Sequence, residues 1–305
     1  RYDFDRYSGY NDNTKNVNLN NANNPNGFDF NTTTADESMV VSTGPYYYWK
    51  YNLNRASVSA AANLKITDQM ATYFRYSNGF RSPDEATLHD NAQIVNTLKP
   101  VTLNQYELGY KYEEKVFDVF ANFFYSKINN VNFSDLLTDG SSVNKFADSR
   151  TYGLELEGDI HAGGFGLSLS GTFQNPSYTK FSGDGGGTPY DYKDNEVERI
   201  PKIFGTLRPS YTYKGFSVYV EGDYFGKKFA DNANLITLPS FATLNAGVSY
   251  TIKNVRFAID GSNLTNTVGL TEGNPRLGDG TTVGDVYYAR PIQGAFGQFS
   301  VMINF

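Results

Sequence analysis

The feature that most constrains this chain is an alternation of apolar and polar residues with period two, recurring in segments of about ten residues. In the last segment Gly297, Phe299, Val301, Ile303 and Phe305 fall on one side, and Gln298, Ser300, Met302 and Asn304 on the other. Side chains of a β-strand point alternately to opposite faces, so the segment reads as a strand with one apolar and one mostly polar face. Tyr106, Leu108, Tyr110 and Tyr112 oppose Gln105, Glu107, Gly109 and Lys111 in the same way, and Tyr152, Leu154, Leu156 and Ile160 oppose Thr151, Glu155, Glu157 and Asp159. Phe165, Leu167, Leu169 and Phe173 repeat it, as do Val218, Val220 and Tyr224, and Val255, Phe257 and Ile259. The carboxylates keep to the polar side throughout.

Such segments number about twelve, near 1–10, 55–66, 70–80, 102–112, 116–128, 149–161, 165–175, 202–213, 216–226, 240–252, 255–264 and 290–305. Their connections alternate in length. Thr67-Asp68-Gln69, Glu113-Glu114-Lys115, Gly163-Gly164, Lys214-Gly215 and Lys253-Asn254 read as tight hairpin turns, the Gly- and Asn-containing ones supplying positive φ at little cost. Between them lie long polar excursions at about 11–54, 81–101, 129–148, 176–201, 227–239 and 265–289. A soluble β-sandwich has no physical reason to place every long loop at one end. A transmembrane antiparallel β-barrel does, because its short turns face the periplasm and its long loops face outside. Ten residues is also the length with which a tilted strand crosses a bilayer. No run of about 18 apolar residues suggests a helical span.

Composition narrows the chemistry. With no cysteine there are no disulfides, thiolate metal sites or cysteine nucleophiles. A net charge of -6 is the wrong sign for a nucleic-acid partner, which needs clustered Lys and Arg. His89 and His161 are the only histidines, and neither stands at metal-ligand or triad spacing. No catalytic residue, metal or cofactor is expected, and a hydrolase with a Ser/His pair on the wall finds no convincing serine. The acidic residues of the alternating segments belong inside the barrel, solvated by water or a partner's basic groups, and Gly183-Asp184-Gly185-Gly186-Gly187 is a flexible loop without the strand-to-helix context of a phosphate cradle. The Asn-rich stretch 18–27 reads as a solvated surface loop.

Two groups of residues are singled out. Tyr46, Tyr47, Tyr48 and Trp49, just before a strand, suit either the outer aromatic girdle or a stacking platform for a ligand at the barrel mouth. Arg81 and Arg276, in the excursions, join them as ligand contacts. Phe299, Val301, Ile303 and Phe305 resemble the terminal-strand signal read by the barrel-assembly machinery. Arg1-Tyr2-Asp3-Phe4-Asp5-Arg6-Tyr7 opens the chain already alternating, without a signal peptide, as in a truncated chain.

Several segments in order resemble the C-terminal half of TonB-dependent outer-membrane receptors: the aromatic strand and turn from Tyr73 to Pro83, the strand from Asn104 to Lys111, the Glu-bearing strand from Arg150 to Gly158, and Asn263-Leu264-Thr265-Asn266 before the terminal strand. The resemblance implies a barrel of about 22 strands around a plug, of which this chain, 1–305, supplies the C-terminal portion of the wall without the plug. It also implies a place in the Gram-negative outer membrane, contact with its lipid, and coupling to TonB through the missing plug. The ligand would be a scarce large solute: a ferric siderophore, haem, cobalamin or an oligosaccharide. The alternative is a passive outer-membrane channel of about twelve strands.

Overall fold

The computed structural model describes residues 1–11, 14–18, 38–42, 47–84, 87–88, 95, 98–136, 142–185, 188–275 and 287–304. Two compact units divide the chain, Arg1–Ser57 with Phe80–Val101, and Val58–Gly79 with Thr102–Phe305. No helix among the described residues is long and apolar enough to cross a membrane.

The strands in chain order begin with β1 (Tyr2–Asn11), β2 (Thr14–Asn18), β3 (Ser38–Ser42) and β4 (Tyr47–Ala56). Then come β5 (Val58–Lys65), β6 (Met70–Arg81), β7 (Val101–Glu113), β8 (Phe117–Leu136), β9 (Ser142–Ala162) and β10 (Phe165–Lys180). The series continues with β11 (Ser182–Gly185), β12 (Thr188–Asp191), β13 (Ile203–Tyr213), β14 (Phe216–Phe225), β15 (Lys228–Phe229) and β16 (Thr237–Leu238). It closes with β17 (Phe241–Ile252), β18 (Val255–Ser262), β19 (Leu270–Pro275), β20 (Tyr287–Pro291) and β21 (Phe296–Ile303).

Eleven of these make one antiparallel sheet in the order β21-β18-β17-β14-β13-β10-β9-β8-β7-β6-β5, sequence neighbours being sheet neighbours. This is the up-and-down pairing that the alternating segments predict. Register joins the apolar positions into continuous rows: Leu108 faces Phe123, Phe123 faces Leu154, Leu154 faces Phe173, and Phe173 faces Ile203. A second row runs Val218, Val248, Ile259, Phe299. These side chains are not a core, since Phe123 remains 58% and Phe299 64% exposed. An apolar face of this extent left open is the pattern of a sheet whose solvent on that side is lipid.

The tight turns lie where the sequence places them, with one shift of detail. Lys214 (φ 45), Gly215 (φ 83), Gly163 (φ 56) and Gly164 (φ 88) take positive φ, but in the last turn Lys253 (φ 53) does so rather than Asn254. Gly164 is doubly constrained, because a Cβ there would also run into the carbonyl oxygen of Thr212. Asn254 instead ties down the final strand, its Nδ2 donating to the Asn304 carbonyl at 3.0 Å.

At the opposite end several excursions prove to be strand. β8 and β9 stay paired out to Leu136 and Ser142, beyond a bulge at which Asn130 (φ 59) donates its amide to Asp148 Oδ1 at 2.9 Å. Gly183-Asp184-Gly185 belongs to the hairpin β11–β12 and is strand rather than flexible loop, while Gly186 and Gly187 lie outside the described residues.

In the smaller unit β1 pairs with β4 along their whole lengths, Tyr2 facing Ala56 and Asn11 facing Tyr47. Over 11–54, where the sequence predicts one excursion, the chain forms β2, β3 and β4; in β4 Trp49, Tyr51 and Leu53 alternate with Lys50, Asn52 and Asn54, and the pairing with β1 makes it a strand. Trp49, Tyr51 and Leu53, on one face of β4, form a buried cluster with Leu88, Val95 and Leu98, against which Phe80 packs.

Candidate functional site

Two of the long connections in the larger unit fold into each other. Tyr178, 1% exposed, donates its hydroxyl to Asn232 Oδ1 at 2.5 Å, and Asn195 Nδ2 donates to the Asn232 carbonyl at 3.0 Å. Asn234, in the left-handed region at φ 62, makes a reciprocal pair with Glu196: its Oδ1 accepts the Glu196 amide at 2.7 Å and its Nδ2 donates to the Glu196 carbonyl at 2.9 Å. Buried Asp231 accepts the amides of Leu235 (3.1 Å) and Ile236 (2.7 Å) and shapes the turn that presents Asn234. Under this junction Tyr178, Phe181, Tyr190 and Tyr192 pack edge and face, with the Tyr178 and Phe181 ring centres 4.8 Å apart. Buried hydrogen bonds and an aromatic core hold this loop surface in one arrangement, and a rigid surface has little ordering cost to meet on binding.

Nearby, Lys228 of β15 is half-buried, and burial pushes its amine below the usual lysine range while the Glu272 carboxylate pulls the other way. Glu272 itself pairs with Arg290 across the β19–β20 hairpin at 2.8 Å. The base of that hairpin's excursion is closed by Asn263, whose Nδ2 donates to the carbonyls of Thr267 and Gln293 and whose Oδ1 accepts the Thr267 amide, all at 2.9 Å.

The polar face of the large sheet carries a second set of groups. Tyr73 donates to Asn122 Oδ1 at 3.2 Å, and Asn122 Nδ2 passes the chain on to Glu155 at 2.9 Å. They border a depression of about 530 Å³ that Gln105, Glu107, Ser126 and Thr151 also line. Farther along, Asp223 accepts from Thr206, Thr243 and Asn245, Glu221 from Arg208 and Asn245, and Asp260 from Tyr219. Each of these carboxylates accepts from hydroxyl, amide or guanidinium donors, so the face presents a connected set of polar groups. Among the described residues no group of three or more His, Asp or Glu could hold a metal ion.

Residues 1–264 match the family described as TonB dependent receptor-like, beta-barrel. The chain belongs to the TonB-dependent receptor family. No curated protein matched its sequence. Among solved structures it is similar to the siderophore receptor PiuA from Acinetobacter baumannii, at 20% identity and TM-score 0.68, over 87% of this chain and 38% of that one. It is also similar to the ferric yersiniabactin uptake receptor FyuA from Yersinia pestis (18%, TM-score 0.66, 88% and 40%) and to the copper transporter OprC (14%, TM-score 0.66, 84% and 40%). The chain thus spans about two fifths of the structures it matches, and the likeness is one of fold: an all-β, antiparallel part of a TonB-dependent barrel. Family and neighbours are receptors and transporters by name.

Against this family's frame the residues singled out from sequence separate. Tyr48 is 81% exposed, whereas Trp49, its neighbour on β4, is 8% exposed in the small unit's cluster; strand alternation puts the two on opposite faces. Arg81 is exposed at the end of β6, where Ser82 donates to Asp5 at 2.5 Å. Tyr46, Arg276, Phe305, His89 and the side chain of Tyr47 lie outside the described residues. Phe299, Val301 and Ile303 share the apolar face of β21 and pair with Ile259, Phe257 and Val255. The junction residues Tyr178, Asn195, Asn232 and Asn234 escaped the sequence reading. Its one legible trace is Asp231-Asn232-Ala233-Asn234, rich in residues that bond to nearby backbone; Asp231 does so, but Asn232 and Asn234 bond to residues 37 to 54 positions away.

Proposed function

We propose that this chain is wall and loop surface of an outer-membrane receptor that takes up a scarce, large solute, a ferric siderophore in the first instance, energised through TonB. The observation that carries the reading is the large sheet itself, with one open apolar face, one hydrogen-bonded polar face, and all short turns at one edge. In a bilayer such a sheet requires lipid on the first side and a water- or protein-filled interior on the second, with the long connections outside. Family membership supports the placement, and the named cargo of PiuA and FyuA supports a metal chelate. The interlocked connections around Tyr178 and Asn234 supply a first contact surface in the larger unit, with Lys228 as a cation for an acidic ligand; Tyr48 and Arg81 are candidate ligand contacts of the smaller unit, taken by itself. Phe299, Val301 and Ile303 serve insertion by the assembly machinery.

The test uses the full-length gene product in an iron-starved Gram-negative host lacking its own receptors. Uptake of labelled ferric siderophores that requires both the receptor and TonB is the expected result. Uptake that persists without TonB and the proton motive force would replace the receptor with a passive channel, and growth only on cobalamin, haem or an oligosaccharide would reassign the cargo.

A further inference from the structure

Two glycines let aromatic rings lie down against the polar face of the large sheet. A Cβ on Gly109 would run into the Tyr73 ring, and one on Gly153 would stand 2.7 Å from the Phe124 ring. Only glycine allows so close an approach of ring to backbone. Register then sets a carboxylate beside each ring. Glu107 lies two positions before Gly109 on the same face of β7 and directly opposite Phe124 on β8, and Glu155 lies two positions after Gly153 on β9, opposite Asn122. Rings and carboxylates together border the depression of about 530 Å³.

The groups around this recess are richer in open acceptors than in cations. Asn122, 5% exposed, donates its amide to Glu155 at 2.9 Å and accepts the Tyr73 hydroxyl at 3.2 Å. Gln105 donates its amide to Glu107 at 2.5 Å and Gln174 to the Pro201 carbonyl at 2.9 Å, which leaves both side-chain carbonyls as acceptors. Among the described residues no cation pairs with half-buried Glu155, and Arg75 approaches Glu107 only to 4.0 Å. Lys111 covers one end of the recess, 5.8 Å over Tyr73 and 5.6 Å over Phe120, and among the described residues no cation lies over Phe124. A half-buried carboxylate without a counter-charge is destabilising, and a positive ligand relieves it. Metal is a poor fit, since no three His, Asp or Glu converge among the described residues. A charge spread over N–H groups fits better, because it can bond carboxylate oxygens at its edge and rest its face on a ring.

We propose that this recess is a subsite for an organic cation, an ammonium or guanidinium group borne by the imported solute, held by Glu155 and Glu107 over the Phe124 ring. The proposal deepens the receptor reading and rests on it, since only there is this face the barrel interior and the long connections its mouth. Gln174 places the recess on the solute's way in: its backbone amide donates to the Lys202 carbonyl at 2.8 Å, so the recess begins at the base of the connection that carries Glu196. Its volume lies within the range of small-molecule pockets. A solute of mixed charge would meet Lys228 with its acidic part and this recess with its basic part.

The experiment takes the full-length receptor purified in mild detergent and measures binding by titration calorimetry. Its probes are agmatine, a guanidinium and an ammonium on one short alkyl chain, and N-butylurea, an uncharged analogue of similar length. Agmatine is expected to bind one to one, and N-butylurea not at all. Glu155→Gln, which turns a charge-assisted bond into a neutral one, should weaken agmatine about tenfold, and Phe124→Leu about fivefold through loss of the ring. Asp68→Asn, in an exposed turn, should leave the affinity unchanged. Equal binding of the two probes, wild-type affinity of Glu155→Gln, or no agmatine binding because the receptor's own basic side chains fill the recess overturns the subsite. Phe124→Leu carries the test if Glu155→Gln fails to assemble. In the TonB-dependent uptake assay agmatine should compete with the imported solute, and about tenfold less well in Glu155→Gln. Import that agmatine never slows overturns the subsite alone, whereas agmatine binding by a barrel that imports nothing through TonB overturns the receptor reading and leaves the cation site standing.

Discussion

Replacing Asn234 tests whether the two interlocked connections depend on each other. Its side chain closes two hydrogen bonds with the backbone of Glu196, at 2.7 and 2.9 Å, and its backbone holds φ 62. A net contribution of about 1 kcal/mol per bond makes Asn234→Gly cost about 2 kcal/mol, which is roughly thirtyfold in the local opening equilibrium. Asn234→Ala loses the same bonds and keeps the Cβ in the left-handed region without the polar side chain that lets Asn tolerate it, so it should cost up to about 1 kcal/mol more than Gly, for a total of about 2–3 kcal/mol or up to roughly a hundredfold. Hydrogen exchange reads this at amides whose own bonds do not involve Asn234. Asp194 donates to the Tyr178 carbonyl at 2.9 Å and Arg199 to the Phe229 carbonyl at 2.7 Å. Their protection should fall by those factors, with Ala worse than Gly, while amides in the middle of β13 and β14 stay as protected as before. Unchanged protection at Asp194 and Arg199 would refute the interdependence of the connections. Equal losses for Ala and Gly would refute the part assigned to backbone conformation.

At the base of the last long connection, Asn263→Ala removes three side-chain bonds at a position of φ 48 that Asn tolerates better than Ala, and should cost about 2–4 kcal/mol. The measurement is the temperature at which the folded gel band is lost, and an unchanged midpoint would contradict the assignment. Trp49→Ala should cost about 3–5 kcal/mol in the smaller unit and expose it to protease, because the indole is buried among Leu88, Val95 and Leu98. Tyr48→Ala should leave protease resistance intact, so any fall in ligand capture belongs to that exposed ring; no fall at all would remove Tyr48 from the contact surface. The Asp84 carboxyl is held below its usual range first by the Thr87 amide, at 2.8 Å, and then by the Thr87 hydroxyl. Because the folded value is the depressed one, the contribution is complete above the unfolded carboxylate pKa and is lost as pH falls through the folded value. Protease resistance near Asp84 should therefore decline only in acid, with Asp84→Asn weaker and flat across the same range; equal acid sensitivity in both would refute the link.

Much of the wall was legible because strand periodicity is a local property. An alternating segment such as 165–175 assigns each side chain a face before any partner is known, and a two-residue turn fixes which segment pairs next. The resemblance carried by Asn263-Leu264-Thr265-Asn266 now has a physical meaning, since Asn263 and Asn266 both take positive φ (48 and 51) and together hold the amides and carbonyls of the excursion's two ends. The bonds that make the motif useful run to Gln293 and Ala295, and no local rule points that far.

The sequence by itself therefore determined that this chain is antiparallel strand, which face of each strand is apolar, and where the chain reverses, because these depend on neighbours one to three positions away. Tertiary structure alone decided that Trp49 lies under Leu88 while Tyr48 stays open, that Tyr178 reaches Asn232, and that Lys127 stands opposite Arg150. Those outcomes depend on cross-strand register and loop packing. Each joins residues some 20 to 55 positions apart, a separation that no local pattern in the chain relates.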